Sequence, residues 1–243
     1  AQYTALGIDR DGGHAAFVRI PNRFITQGNV IPLPESVSDA EASLLEPFSC
    51  VVNGVRAARV ELGDTVVIYG AGPMGAMHAM LCRLRGAAKL VMVDPLDERL
   101  EQARALGCDI TINPTQASVR DRLKHDTQGC GADVVIAACP VAQVQAEALQ
   151  ILAPFGRLCL FGGLPAGSGP VPLDTNAIHY GNLLVTGTTG GSVQAYRIGL
   201  RLVAGKRVDL ERIVSHRYLL GELQAAYDTA VAGVAGKILL VAE

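Results

Sequence analysis

Six residues, Gly70-Ala71-Gly72-Pro73-Met74-Gly75, constrain this chain more than any others, because they join two incompatible periodicities. The preceding stretch, Thr65-Val66-Val67-Ile68-Tyr69, is a continuous apolar run of strand length, and the following one, to Arg85, reads as a helix. The Gly-x-Gly-x-x-Gly spacing between them gives each glycine a task. Gly70 lets the chain turn tightly, Gly72 lets backbone amides approach a pyrophosphate, and Gly75 lets the helix pack closely on the strand. The helix N-terminus then offers unpaired N–H groups and a positive dipole end to the phosphates. A second run, Lys89–Val93, leads into Asp94, 19 residues beyond Gly75, where a carboxylate can accept bonds from an adenosine ribose. Because a carboxylate repels a 2′-phosphate, Asp94 favours NAD over NADP, and Arg99 is the group placed to offset that repulsion.

The alternation continues. A helix over Leu96–Leu106 is followed by Asp109–Ile112, and further apolar runs at Asp133–Ala137 and Arg157–Phe161 each follow a helical segment. Continuous β-branched runs separated by helices are what a parallel sheet covered on both faces requires. The expected fold class is therefore α/β, with a doubly wound parallel sheet of the Rossmann type over residues 49–188. The flanks differ. Residues 1–48 read as short strands and turns, with alternation at Ala16-Phe17-Val18-Arg19-Ile20 and prolines at 21, 32 and 34 that exclude long helices. Ser38-x-x-Glu41 fits a capping box opening a helix to about Arg59, which Pro47 is expected to break in two. After Thr188 come a helix over Gly190–Lys206, the stretch Val208–Ile213, a helix over Leu220–Val231 and a final strand, Lys237–Val241.

Composition excludes several function classes. With 21 basic and 23 acidic residues and no run of like charge, no basic stripe is present to neutralise phosphates, so nucleic acid is not an expected partner. The longest apolar stretches fall far short of the roughly 20 residues of a membrane helix. No charged-then-apolar leader opens the chain, so a cytoplasmic location is expected. The six cysteines lie far apart, without the short C-x₂₋₄-C spacing that prearranges thiolates for zinc, and most of them read as small buried hydrophobes. No two of the five histidines, His14, His78, His125, His179 and His216, lie i, i+3 or i, i+4 apart, and they read as structural or surface residues.

With the turn and the order of segments in view, the chain resembles the zinc-dependent medium-chain dehydrogenase/reductase family, in its sorbitol (polyol, iditol) dehydrogenase branch. The carrying residues are Gly12-Gly13-His14-Ala15, Ile31-Pro32-Leu33-Pro34, Leu45-Glu46-Pro47, Gly63-Asp64-Thr65-Val66, the Gly70–Gly75 turn, Gly131-Ala132-Asp133-Val134-Val135, and Val214-Ser215-His216-Arg217 ahead of Gly236-Lys237-Ile238. The resemblance implies that flanks 1–48 and 189–243 belong to a GroES-like, β-rich catalytic domain. It implies NAD held by Gly70, Gly72, Pro73, Met74, Gly75, Asp94 and Arg99, with backbone around Leu164, Thr188 and Thr189 at the nicotinamide end. Glu46 would lie on or near a catalytic zinc, as both catalytic and metal-site residue. The small-molecule substrate would be a polyol or other secondary alcohol, oxidised to a ketone, and the assembly a homodimer or homotetramer joined through edge strands.

Two departures qualify this. The family's cysteine ligand and Gly-His-Glu pair fall upstream of the position matching Ala1, so most of the zinc ligands implied are not in this sequence. Gly190-Gly191 also stands where sorbitol dehydrogenases carry an Arg-Tyr pair that holds substrate hydroxyls. Two alternatives therefore stay open: a dinucleotide-binding module without catalysis, and a zinc-free reductase of the same superfamily. Glu46-Pro47 counts against the second.

Overall fold

The computed structural model describes residues 5–233 and 235–242. Two short helices, α1 (Asn22–Thr26) and α2 (Asp39–Ser43), precede α3 (Leu45–Ala57). A regular alternation follows: β1 (Thr65–Tyr69), α4 (Pro73–Leu84), β2 (Lys89–Val93), α5 (Asp97–Ala105), β3 (Ile110–Ile112), α6 (Val119–Asp126), β4 (Ala132–Ala137), α7 (Ala142–Glu147), β5 (Leu152–Leu160), α8 (Thr175–Gly181) and β6 (Leu184–Gly187). The chain ends in α9 (Val193–Ala204), β7 (Val214–Leu219), α10 (Leu223–Val231) and β8 (Lys237–Val241).

The six strands β1 to β6 form one sheet in the order β3-β2-β1-β4-β5-β6, and every pairing is parallel. Strand β1 shows why its sequence has no polar face. Val66 and Ile68 enter one apolar core, shared with α3, α4 and α9, while Val67 and Tyr69 enter a second on the opposite face, with Leu123 of α6. A strand buried on both faces must be apolar throughout, as the expected parallel sheet requires. Two aspartates of the family-like motifs close the lower end of this sheet. Asp133 accepts the Thr65 N–H (2.8 Å), and Asp64 accepts the Glu61 N–H (2.7 Å) and pairs with Arg157. Their role is to complete backbone hydrogen bonding where strands begin.

Several expectations need correction. The alternating stretch Ala16–Ile20 forms no strand, because it finds no partner ladder among the described residues, and Phe17 stays 93% exposed. The Ser38–Glu41 capping box forms, with reciprocal bonds of 3.1 Å, and the stretch breaks in two as expected, at Leu44, three residues before Pro47. Pro47 sits in the first turn of α3, where a missing N–H costs nothing because no intrahelical acceptor exists for it. Leu210–Ile213 is a 3₁₀ turn, and the strand lies just beyond it, pairing β7 with β8 in a two-stranded sheet of its own. His216 lies within β7.

Candidate functional site

The glycines of the turn are held as their spacing demands. Gly70 adopts φ +99°, and its N–H donates to the Val93 carbonyl (2.8 Å). A Cβ on Gly75 would lie 1.7 Å from the Gly70 carbonyl oxygen, so helix and turn can meet only through glycine. Gly72 is different. A Cβ there would project into space bounded only by Arg99 Nη1 at 3.9 Å. Gly72 is the N-cap of α4, no side chain caps the helix, and Pro73 occupies the first turn. The first-turn N–H groups of Met74 and Gly75 consequently have no intrahelical acceptor.

Asp94, at the end of β2, is only 3% exposed yet lines this cleft. One carboxylate oxygen accepts the Ala71 N–H (2.8 Å), the other accepts the Leu96 N–H (2.9 Å), and Arg99 Nη1 stands 3.6 Å away. The carboxylate thus ties the glycine turn to the start of α5 as well as facing the cleft. Arg99 also donates to the Gly233 carbonyl, linking this corner to the loop before β8. The cleft encloses about 730 Å³ between the ends of β1, β2 and β4 and residues 114–120. Ligand crevices of doubly wound sheets lie there, outside the carboxyl ends of the strands where the winding reverses.

A second opening of about 480 Å³ continues along the same edge, lined by Met74, Leu164, Thr188 and Thr189. Leu164, Thr188 and Thr189, the three residues the sequence resemblance assigns to the nicotinamide end, thus share one pocket with Met74 of the glycine-rich turn. Cys50, Gln145 and Gly190 line it too; sequence reasoning missed the first two and met Gly190 only as a departure at a substrate-contacting position. Gln145 is buried and donates to the Gly162 carbonyl (2.8 Å), holding the loop after β5. Glu46 does not line the pocket. It is exposed in the first turn of α3, one turn before Cys50, whose thiol donates to Glu46 Oε1 over 3.6 Å. Burial, and then the Glu46 charge, push the Cys50 thiol up to about 11, so it is protonated at neutral pH. The Tyr196 phenol is likewise pushed up, by burial and then by Glu46.

The donors for a zinc ion do not add up among the described residues. Catalytic zinc takes three protein ligands and leaves one open position. Glu46 and Cys50 supply two donors at most, and no group of three or more His, Cys, Asp or Glu is clustered for a metal among the described residues. Of the cysteines, Cys82, Cys108 and Cys159 are buried and none is in a disulfide. No helix among the described residues is long and apolar enough to cross a membrane.

Six parallel strands in this order, with a glycine-rich turn opening the helix after the first, define a Rossmann-type dinucleotide fold. The profile of the zinc-binding dehydrogenases matches residues 73–205, more than half of the chain. An L-threonine 3-dehydrogenase of Caldanaerobacter subterraneus subsp. tengcongensis is 30% identical over 237 residues, covering 97% of this chain and 66% of the relative. Among solved structures, the alcohol dehydrogenase TADH from Thermus sp. ATN1 superposes with TM-score 0.87 at 31% identity, over 97% of this chain and 66% of that one. A protein described as a zinc-binding dehydrogenase from Sinorhizobium meliloti 1021, bound to NADP, gives TM-score 0.88 at 26% identity, over 98% and 68%. The chain belongs to the zinc-binding dehydrogenase family. It spans just under two thirds of the length of the threonine and Thermus enzymes.

Proposed function

We propose that the chain carries the nicotinamide-dinucleotide site of an alcohol dehydrogenase that oxidises a secondary alcohol to a ketone. The observation that carries this is the continuity of one edge of the sheet, from the Asp94 cleft past the uncapped start of α4 to the Thr188–Gly190 pocket. The empty space at Gly72 fits the dinucleotide, since a Cβ would intrude where a pyrophosphate must approach the helix N-terminus. When bound, NAD supplies a hydride acceptor. The chain's residues do the rest: Met74 and Gly75 N–H groups hold phosphate, Asp94 and Arg99 hold the adenosine ribose, and Met74, Leu164, Thr188 and Thr189 enclose the nicotinamide end. Asp94 supports NAD as the preferred cofactor. The Arg99 guanidinium beside it limits the margin over NADP, the cofactor bound to the Sinorhizobium protein.

A polyol, as the resemblance implies, is the substrate class in this reading. L-Threonine is the second candidate, supported by the 30% identical relative. Residues 49–188 would be the dinucleotide domain and residues 1–48 and 189–243 part of a GroES-like catalytic domain. Glu46, which accepts from the Cys50 thiol of the pocket lining, would contribute to a metal centre in this reading. β6 is an edge of the six-stranded sheet, and pairing there would give the implied homodimer or homotetramer.

Calorimetric titration of NAD(H) and NADP(H), with NADH production followed on sorbitol, xylitol and L-threonine, tests this reading. NADH is expected to bind more tightly than NADPH, and turnover, where present, to favour the polyols. Equal affinity for both cofactors would overturn the NAD assignment, and turnover on L-threonine alone the polyol one.

A further inference from the structure

We propose that Asn53 is a positioning residue for the nicotinamide end of the cleft, acting through the Gly190 carbonyl without touching the cofactor. Residues Glu46, Ser49, Cys50 and Asn53 recur at helical spacing along one face of α3, and that face carries the loop after β6. Asn53 Nδ2 donates to the Gly190 carbonyl (3.0 Å), a contact between residues 137 positions apart. Gly190 takes φ +67°, a left-handed conformation open to glycine, whose wide backbone freedom the Asn53 bond restricts. Its neighbour Gly191 lies flat on the same helix, where a Cβ would fall 1.9 Å from Ser49 Oγ. Ser49 is 2% exposed and is itself fixed by donating to the Glu46 carbonyl (2.6 Å). The loop is thus pinned from below at two successive residues.

Pinning matters because Thr188, Thr189 and Gly190 form one wall of the pocket, while Asn53 does not reach it. Removing the amide leaves the adenosine corner at Asp94 untouched and frees the far wall. The effect should therefore be confined to ligands that carry a nicotinamide ring. This rests on reading the cleft as a dinucleotide site, so the test compares NADH with ADP-ribose, which has the same adenosine and pyrophosphate without the ring.

Asn53→Ala and the isosteric Asn53→Asp, which sets a carboxylate against the Gly190 carbonyl, would be titrated calorimetrically with each ligand and checked by thermal melts. Loss of one neutral hydrogen bond corresponds to roughly 2- to 12-fold weaker binding. That loss is expected for NADH in both variants, with Asn53→Asp at least as weak as Asn53→Ala, and ADP-ribose affinity within about 2-fold of wild type. Equal weakening of both ligands, or of neither, would overturn the positioning role while leaving the dinucleotide site standing. Failure of the unaltered protein to bind ADP-ribose would overturn the site itself, and the inference with it.

Discussion

Gly72 and Gly75 belong to one motif but constrain the chain in different ways. Gly75 is required by packing, because any side chain meets the Gly70 carbonyl oxygen at 1.7 Å. Gly75→Ala is expected to destabilise the protein by roughly 3 kcal/mol or more, read as a lowered melting midpoint with or without cofactor. Gly72 has φ −64° and open space beside it, so Gly72→Val should leave the melting midpoint of the free protein nearly unchanged. His78, on α4, is the residue of this site region whose chemistry the sequence hid. Fully buried, its Nδ1 donates to the Met74 carbonyl (2.8 Å), while Nε2 has no partner and the ring meets the edge of Phe161. Burial lowers its pKa from 6.5 to about 4. The unfolded chain then binds more protons than the folded one between those values, so the stabilisation is full above pH 6.5 and lost as pH falls toward 4. His78→Leu should flatten the dependence of stability on pH across that window, by a few kcal/mol at its acid end, with little change at pH 7. An unchanged acid limb would show that His78 is not the group responsible.

At the scale of elements, what was legible depended on whether the signal was local. Strands β1 and β2 could be read residue for residue, because burial on both faces leaves a continuous apolar run and a Gly or Asp marks its end. Ala16–Ile20 alternates as well as many strands do, yet a strand needs a partner ladder, and alternation does not say whether one exists. The far wall of the site was legible at Leu164, Thr188 and Thr189 only through family resemblance. Asn53 and Gln145 were not legible at all, since their meaning lies in carbonyls that the fold brings to them from 137 and 17 residues away. Asp133 is the converse, a motif residue whose structural task is to accept the Thr65 N–H. Asp133→Ala should cost about 1–3 kcal/mol in denaturant unfolding by orphaning that donor, while NADH affinity stays unchanged. A parallel loss of NADH affinity would mean that the lower end of the sheet is coupled to the cleft.

For the whole molecule, the described residues unite a complete Rossmann sheet with a donor set too small for a metal ion. The 243-residue chain, loaded with zinc and dialysed, should therefore retain well under one equivalent by mass spectrometry, whereas stoichiometric zinc would place ligands among residues assigned here to structure. Cofactor binding is not expected to be limited in this way, because in the proposed reading every group assigned to it lies along one end of the six-stranded sheet. The most direct test is a calorimetric titration of NADH into the unaltered protein and into Gly72→Val. Saturable binding by the first, and binding at least about tenfold weaker by a second that remains folded, is the result expected if the pyrophosphate lies at the start of α4. Equal affinity in the two proteins would contradict it.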